Sequence, residues 1–359
     1  MKILAVGDAF VSSEYFESAC QELKAQGATV QTVFWGPKDR SELEKINRKI
    51  EVEGPKFDSS LLAIQKLMRD KDVILVDFCP VPAELITDKL KLIGICRANY
   101  SNLAVAEATT RNIPIVNVSG RNATAVAEFT IGLMLAESRH IARSHASLKS
   151  GVWQKKYKCN PMEIEGKVIG LIGFGAIGQT VAHKLSGFGC KINYFDPMVS
   201  FQTKDSVKRV SLDELLRKSD FISIHCRLSK ETEGLIGEKE FAIMKSSAYL
   251  INSARAEIVN QDALYNALKT NQIRGAAIDV FTEEPLPSKH PFRSLDNITM
   301  TPHLAGSTPE SLEKSPRLLV ENICALINGN NYHNAVNHDS VHRSVFENLA
   351  KSVNGNNYG

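Results

Sequence analysis

The sequence predicts an α/β protein made of two doubly wound parallel sheets. Three observations carry that expectation. Short β-branched runs alternate with amphipathic stretches from the first residues onward, which is the rhythm of β-α-β units. The rhythm breaks once, at Val118-Ser119-Gly120-Arg121-Asn122, and restarts near Lys167. The first run of the second series then passes directly into a glycine-patterned turn, Gly173-Phe174-Gly175-Ala176-Ile177-Gly178.

Taken in order, Lys2–Val6 reads as a strand, followed by a helical pattern through Phe16, Cys20 and Leu23 and a second strand at Val30–Phe34. Further strands are expected near Val73–Asp77, Leu92–Cys96 and Ile113–Val116, with helical segments around Leu61–Met68, Ala83–Leu90 and Leu103–Thr110. After the break, Ala125–Ala142 has apolar residues on every side (Val126, Phe129, Leu133, Leu135), so it is expected to be a long helix packed between two bodies. The second series has strands at Lys167–Gly173, Lys191–Phe195, Phe221–His225, Ala248–Asn252, Ala276–Val280 and Ile298–Thr301. Helices open near Ala176, Leu212, Gln261 and Pro309, and from about Asn328 an Asn-, His- and Ser-rich stretch reads as a surface tail with one short helix near Val345–Ser352.

A chain of 359 residues with 43% hydrophobic and 23% charged residues can bury two cores and lacks the signature of disorder. Its 43 basic and 40 acidic residues leave a net charge of +3, scattered rather than striped, which argues against nucleic acid as a partner. Seven cysteines lie far apart without a C-x-x-C pair, which fits a reducing cytosol better than a disulfide framework. The apolar start Met1–Val6 is too short for a signal-peptide core and no later run approaches a membrane span, so a cytoplasmic protein is expected. His140 and His145 do not share a helix face and no H-E-x-x-H occurs, so no metal site is expected.

The turn Gly173–Gly178 gains meaning from its place between a strand and a helix. Gly173 allows the tight turn, Gly175 lets backbone approach a pyrophosphate, and Gly178 permits close packing of helix on strand, while N–H groups of the helix start at Ala176 and Ile177 face the phosphates. The next strand ends at Asp196, a carboxylate that can accept the ribose hydroxyls of NAD and would repel a 2′-phosphate. Pro197 and Met198 follow rather than Arg or Lys, so NAD is favoured over NADP. The chain's first β-α turn, Gly7-Asp8-Ala9-Phe10, lacks the glycines and places an acid where a phosphate would sit. The cofactor therefore belongs to the second sheet and the first sheet is the substrate side.

Three more segments lie where strands of the second sheet end, the crevice in which open α/β sheets bind ligands. They are Asn252–Ala256, Asp279–Pro285 and Thr301–Gly306. Arg255 can bind a carboxylate bidentately and polarise the neighbouring carbonyl. His303 can pass a hydroxyl proton near neutral pH, and Glu284 can hold the imidazole's other nitrogen. Each also has a plain reading, as a surface ion-pair donor, a structural histidine and a solvated loop acid respectively; their convergence at strand ends is what points to hydride transfer.

At this point the sequence resembles the NAD-dependent D-2-hydroxyacid dehydrogenases, in the branch of phosphoglycerate dehydrogenase-like proteins. The likeness rests on Gly173–Gly178 with Asp196, His225–Thr232, Met244–Asn260, Gly275–Pro287 and Asn297–Thr308, in that order, and covers most of residues 90–330. It implies a Rossmann-type NAD domain inserted into a flavodoxin-like substrate domain. It implies Arg255 as the catalytic arginine, Glu284 as the carboxylate, His303 as the acid/base, and Asp279 near the nicotinamide amide, and it matches Ala125–Glu128 to the start of the interdomain helix. Ser253 and Arg227 join the expected cofactor contacts, and Arg97, Ala98 and Asn99, with Arg255, the substrate contacts. Departures include Ala256 where a glycine is usual, Arg227-Leu228 in place of Pro-Leu, Asn99 for a glycine and Ala104 for an aspartate.

The expected activity is interconversion of a D-2-hydroxy acid and its 2-oxo acid with NAD, with no nucleic acid and no membrane as partners. Candidate substrates are 3-phosphoglycerate, glyoxylate, hydroxypyruvate and sugar-derived acids; the alternative is an NADH-binding corepressor or scaffold. The resemblance implies a homodimer through the long helix, and no amino-acid-sensing regulatory domain is expected after residue 330. The expected division is 1–119 with 305–337 for the substrate domain, 120–304 for the NAD domain, and 338–359 for the tail.

Overall fold

The computed structural model describes residues 1–199, 207–328 and 335–354. Two compact units emerge, Met1–Arg121 together with the chain from Thr308 onward, and Asn122–Ser307. The sequence path therefore leaves the first unit, completes the second, and returns.

The first unit holds strands β1 (Lys2–Gly7), β2 (Thr29–Phe34), β3 (Val73–Val76), β4 (Leu92–Ile95) and β5 (Ile115–Asn117), all parallel, in the order β2-β1-β3-β4-β5. This is the flavodoxin-like order, and β3 and β4 are buried along their whole length because helices cover both faces. The helices before the break are α1 (Ser13–Ala19), α2 (Gln21–Ala25), α3 (Arg40–Glu53), α4 (Leu62–Met68) and α5 (Val105–Thr110). Ser12 and Asp39 cap α1 and α3 by accepting the N–H groups of Tyr15 and Glu42.

Four expectations change in this unit and at its edge. The helix α3 was not foreseen; among fourteen mostly charged residues Leu43, Ile46 and Ile50 are its apolar contacts with the core, and Asn47 is buried beside them. Ala83–Leu90 is reduced to a single 3₁₀ turn at Ala83–Leu85, after which Ile86 takes an extended conformation. Residues expected to start a helix at Leu103 begin it at Val105. The stretch from 338 is no surface tail: Val341, Phe346 and Leu349 are buried in the first unit's core. Asn337 fastens it to β5, accepting from the N–H of Ile115 at 3.0 Å and donating to the carbonyl of Ile113 at 3.0 Å. Residues 329–334 and 355–359 of the expected tail lie outside the described residues.

The second unit begins with α6 (Ala123–Ser138) and α7 (Ile141–Lys149). The single helix expected over Ala125–Ala142 ends at Ser138, and His140 takes a left-handed conformation (φ 57°). A polar cluster makes this joint. The fully buried Glu137 accepts from Thr299 Oγ1 at 2.7 Å and from Arg143, and Arg143 in turn pairs with His140 Nδ1 at 2.7 Å. Within its own unit α6 packs on α8 (Ala176–Leu185) and on the sheet, and its exposed Glu128 pairs with Lys184 of α8 at 2.8 Å.

The sheet of this unit comprises β6 (Val168–Ile172), β7 (Lys191–Phe195), β8 (Val207–Arg209), β9 (Phe221–Ile224), β10 (Tyr249–Asn252), β11 (Gly275–Ile278) and β12 (Ile298–Met300). Helices α9 (Leu212–Lys218), α10 (Glu238–Ile243) and α11 (Gln261–Lys269) connect its strands, and α12 (Pro309–Ile327) and α13 (Arg343–Asn354) close the first unit. The strand order is β12-β11-β10-β9-β6-β7-β8, parallel throughout. The chain runs outward from β6 in one direction and from β9 in the other, so the switch point lies between these two strands. Short edge strand β8 carries too few residues to be read from periodicity. None of the described helices is long and apolar enough to cross a membrane.

Candidate active site

The C-terminal ends of the second unit's strands carry the residues singled out above, in a row fixed by strand order. From β12 inward stand His303, Asp279, then Ser253 with Arg255, then His225 with Cys226, then Gly173, and finally Asp196 on β7.

At the switch point Gly173 adopts φ +93°, and a Cβ there would lie 2.5 Å from the backbone nitrogen of Cys226 at the end of β9. A Cβ on Gly178 would lie 2.3 Å from the carbonyl oxygen of Gly173. Both positions thus exclude any side chain. Gly175 differs, since nothing lies within 4 Å of its Cβ direction: the space in front of it is open. Gly175 and Ala176 are exposed and Ile177 half-buried at the start of α8, where the first N–H groups of a helix have no intrahelical acceptor. Open space, free donors and the positive end of a ten-residue helix suit a pyrophosphate. Asp196, half-buried, accepts from the N–H of Phe174 at 2.8 Å and of Met198 at 2.9 Å. The carboxylate therefore braces the glycine turn and still has lone pairs for ribose hydroxyls. Arg227 is exposed, and its carbonyl accepts from Thr232 Oγ1 at 2.6 Å. The residues present fit NAD.

His225 is enclosed with its Nε2 at 2.9 Å from Ser223 Oγ, and burial lowers its pKa to about 4, so the ring is neutral at physiological pH. On β10, the buried Asn252 organises the following turn. Its amide donates to the carbonyl of Arg255 at 2.9 Å and its oxygen accepts from the N–H of Ala254 at 3.0 Å. The Arg255 side chain is exposed, with Nη1 donating to the carbonyl of Ala254 at 2.7 Å. Ser253 Oγ pairs with Thr130 Oγ1 at 3.0 Å. The methyl of Ala256 is buried in this turn.

His303 and Glu284 are brought together. Nδ1 of His303 lies 2.9 Å from Oε2 and 3.1 Å from Oε1 of Glu284, and Oε1 also accepts from the N–H of Phe281 at 3.1 Å. A carboxylate there requires a proton on Nδ1, which leaves Nε2 for a ligand. His303 keeps half its side chain exposed and adopts φ 55°, a left-handed conformation that few non-glycine residues accept.

Asp279 holds that conformation in place. Its carboxylate has no exposed surface; Oδ1 accepts from Thr301 Oγ1 at 2.6 Å and from the N–H of Leu304 at 2.9 Å, and Oδ2 from the N–H of Ala305 at 2.8 Å. The Asp279 carboxylate thus clamps the His303 turn. Sequence reasoning missed Thr301 and Asn252 as supports, although both adjoin recognised motif residues.

The substrate contacts expected in the first unit also differ. The Arg97 side chain is buried, donating to Asn47 Oδ1 at 2.8 Å and pairing with Glu51 at 2.5 Å. With its charge matched by Glu51 and its surface covered, Arg97 does not offer the free guanidinium that was expected. Asn99 donates to the same Glu51 oxygen at 3.0 Å, and the Ala98 carbonyl accepts from Asn117 at 3.1 Å. Both Ala98 and Asn99 remain exposed.

A seven-stranded dinucleotide fold with a histidine-carboxylate pair and an arginine at adjacent strand ends defines a nicotinamide-dependent oxidoreductase. Residues 131–305 match the family model for the NAD-binding domain of D-isomer-specific 2-hydroxyacid dehydrogenases. The chain is 39% identical over 281 residues to a glyoxylate reductase of Thermofilum pendens, covering 73% of this chain and 80% of that one. It is 36% identical over 292 residues to a hydroxypyruvate reductase of Thermotoga maritima, covering 80% and 95%. The fold also matches the NAD complex of a D-isomer-specific 2-hydroxyacid dehydrogenase from Lactobacillus delbrueckii ssp. bulgaricus, with a TM-score of 0.73 at 22% identity over 92% and 98% of the two chains. The chain belongs to the D-2-hydroxyacid dehydrogenase family and is an NAD-dependent enzyme. Nothing in these likenesses favours a corepressor.

Proposed function

We propose that the enzyme reduces a small anionic 2-oxo acid to its D-2-hydroxy acid, and runs the reverse reaction, with His303 as acid/base. The observation that carries this reading is the bifurcated grip of Glu284 on His303 Nδ1, at 2.9 and 3.1 Å. It orients the ring and places the proton of the neutral imidazole on Nδ1, so that Nε2 faces the reacting group. In reduction, His303 Nε2 gives its proton to the carbonyl oxygen, which becomes the hydroxyl; in oxidation the same nitrogen takes it back. Arg255, exposed on the neighbouring turn, pairs with the substrate carboxylate and polarises the carbonyl. Bound NADH supplies the hydride to C2. Gly173, Gly175, Ala176, Ile177, Gly178, Asp196, Ser253 and Arg227 hold the cofactor, and Asp279 acts through the His303 turn. On the substrate side, Ala98 and Asn99 are exposed residues that face ligands.

Relatives named glyoxylate reductase and hydroxypyruvate reductase make these two acids the first to assay. Oxidation of NADH in the presence of glyoxylate or hydroxypyruvate, followed by absorbance, is the expected result. Tight NADH binding without turnover of any 2-oxo acid would contradict the reading.

We further read the enzyme as a cytosolic homodimer. All seven cysteines are free thiols, which suits a reducing compartment. Helix α7 buries none of its residues, and Ile141, Leu148, Val152 and Trp153 expose apolar surface that a second copy would cover. Sedimentation should give a dimer, and Trp153→Asp should shift it toward monomer.

A further inference from the structure

Thr130 lies in the middle of α6, fully buried beside Ala127, Ile131 and Met134 of an apolar cluster. A hydroxyl costs free energy in such surroundings unless it is hydrogen-bonded. A threonine on a helix can satisfy its hydroxyl on the carbonyl four residues back, and Thr110, Thr180 and Thr270 do so at 2.9, 2.7 and 2.8 Å. Thr130 instead points off its helix. Its Oγ1 lies 3.0 Å from Oγ of Ser253, its partner among the described residues, at the exit of β10.

The direction of that bond follows from burial. Each hydroxyl carries one hydrogen and two lone pairs. If Ser253 donated, the hydrogen of the fully buried Thr130 would be left unpaired in the core, which costs more than one neutral hydrogen bond contributes. Ser253 is half-buried at the row of strand ends, where water or a ligand can reach it. The bond therefore runs from Thr130 to Ser253 and leaves the Ser253 hydrogen unused. The main chain around Ser253 is set separately, since Asn252 donates to the Arg255 carbonyl and accepts from the Ala254 N–H. Thr130 thus fixes a hydroxyl rather than the turn.

In the strand order β12-β11-β10-β9-β6, Ser253 stands between the His303 turn and the glycine turn. A cofactor held at Gly173–Gly178 that delivers hydride beside His303 brings its nicotinamide half past the exit of β10. We propose that Thr130 is a positioning residue for that half: by donating to Ser253 Oγ it turns the Ser253 hydrogen outward, as a donor to an oxygen on the nicotinamide half of NAD. This rests on the reading above in which the glycine turn and Ser253 hold the cofactor. Thr130 itself acts only through Ser253.

The test is a double-mutant cycle on NADH affinity, read by fluorescence titration of the full chain. Thr130→Val keeps the branched shape and removes the donor, whereas Thr130→Ser keeps the donor. Loss of one neutral hydrogen bond is worth about three- to ten-fold. Thr130→Val and Ser253→Ala should each weaken NADH binding by that factor, the double variant should bind no more weakly than Ser253→Ala alone, and Thr130→Ser should bind as the parent does. Parental affinity in Thr130→Val or in Ser253→Ala, a loss in Thr130→Ser as large as in Thr130→Val, or losses that add in the double variant each overturn the proposal. All of these leave 2-oxo acid reduction standing; that reading fails separately, if the parent binds NADH and turns over no 2-oxo acid.

Discussion

Replacing Gly175 by alanine separates folding from cofactor binding. No heavy atom lies within 4 Å of the position its Cβ would take, and its backbone (φ −75°, ψ −158°) lies in the extended region open to alanine. The folded protein accepts the methyl without strain, and the unfolded chain loses freedom, so stability should hold or rise by about 0.4–1 kcal/mol. The same methyl stands where an anion must approach the first N–H groups of α8. Carbon and ligand atoms need about 3.5–4.0 Å, so at least one charge-assisted hydrogen bond to a phosphate is lost, about 1.5–3 kcal/mol. NADH should bind about ten- to one-hundred-fold more weakly. The control is Gly178→Ala, whose Cβ would meet the Gly173 carbonyl oxygen at 2.3 Å. That variant should lose about 1–3 kcal/mol of stability through overpacking. Fluorescence titration with NADH and thermal melting read the two quantities. Parental NADH affinity in Gly175→Ala would refute the placement of the pyrophosphate; a large drop in Tm would refute the open space.

The remaining expectations concern Asp279, Asp196 and Asp8. Asp279→Asn sets an amide against a backbone N–H that the carboxylate now accepts and frees the left-handed His303, so kcat should fall about one-hundred-fold with a smaller change in KM; a parental kcat would detach this clamp from catalysis. Asp196→Asn keeps an acceptor for Phe174 while removing the charge, and should cut discrimination against NADPH by about ten-fold or more in side-by-side titrations; alanine is the poorer choice because the glycine turn would lose its brace. Burial, and then Asp77, raise the Asp8 pKa from 3.8 to about 7. The folded state therefore holds this proton more tightly than the unfolded chain, and stability from this group is lost as pH rises from about 4 to about 7, at about 1.4 kcal/mol per unit. The stability of Asp8→Asn relative to the parent should improve by roughly 2–3 kcal/mol between pH 5 and pH 8, as read by urea unfolding; a difference independent of pH would contradict it.

Much of this molecule is legible in its sequence because parallel strands buried on both faces read as short apolar runs. Val73–Val76, Leu92–Ile95 and Val168–Ile172 are such runs, and each is a strand. The glycine turn was legible because two of its positions exclude a Cβ and the third leaves room for a ligand. What periodicity does not register is polar architecture. The joint between α6 and α7 depends on the buried Glu137 meeting Thr299 and Arg143, residues distant from one another or from the helix's apolar pattern. The motif position of Asp279 says nothing of the hydrogen bonds by which it clamps the His303 turn. Arg97 looked available because its partner Glu51 sits on α3, a helix whose charged sequence concealed it. The chain after residue 335 looked like a tail because its few apolar residues, Val341, Phe346 and Leu349, are spread among polar ones.

The most direct test of the account is the turnover of His303→Ala with NADH and the best 2-oxo acid, beside its affinity for NADH. His303 stands on β12's exit, away from the glycine turn on β6, so the account predicts a loss of about 10²–10⁴-fold in kcat with NADH still bound. A variant that turns over at close to the parental rate would contradict the assignment of His303 as the group that moves the proton.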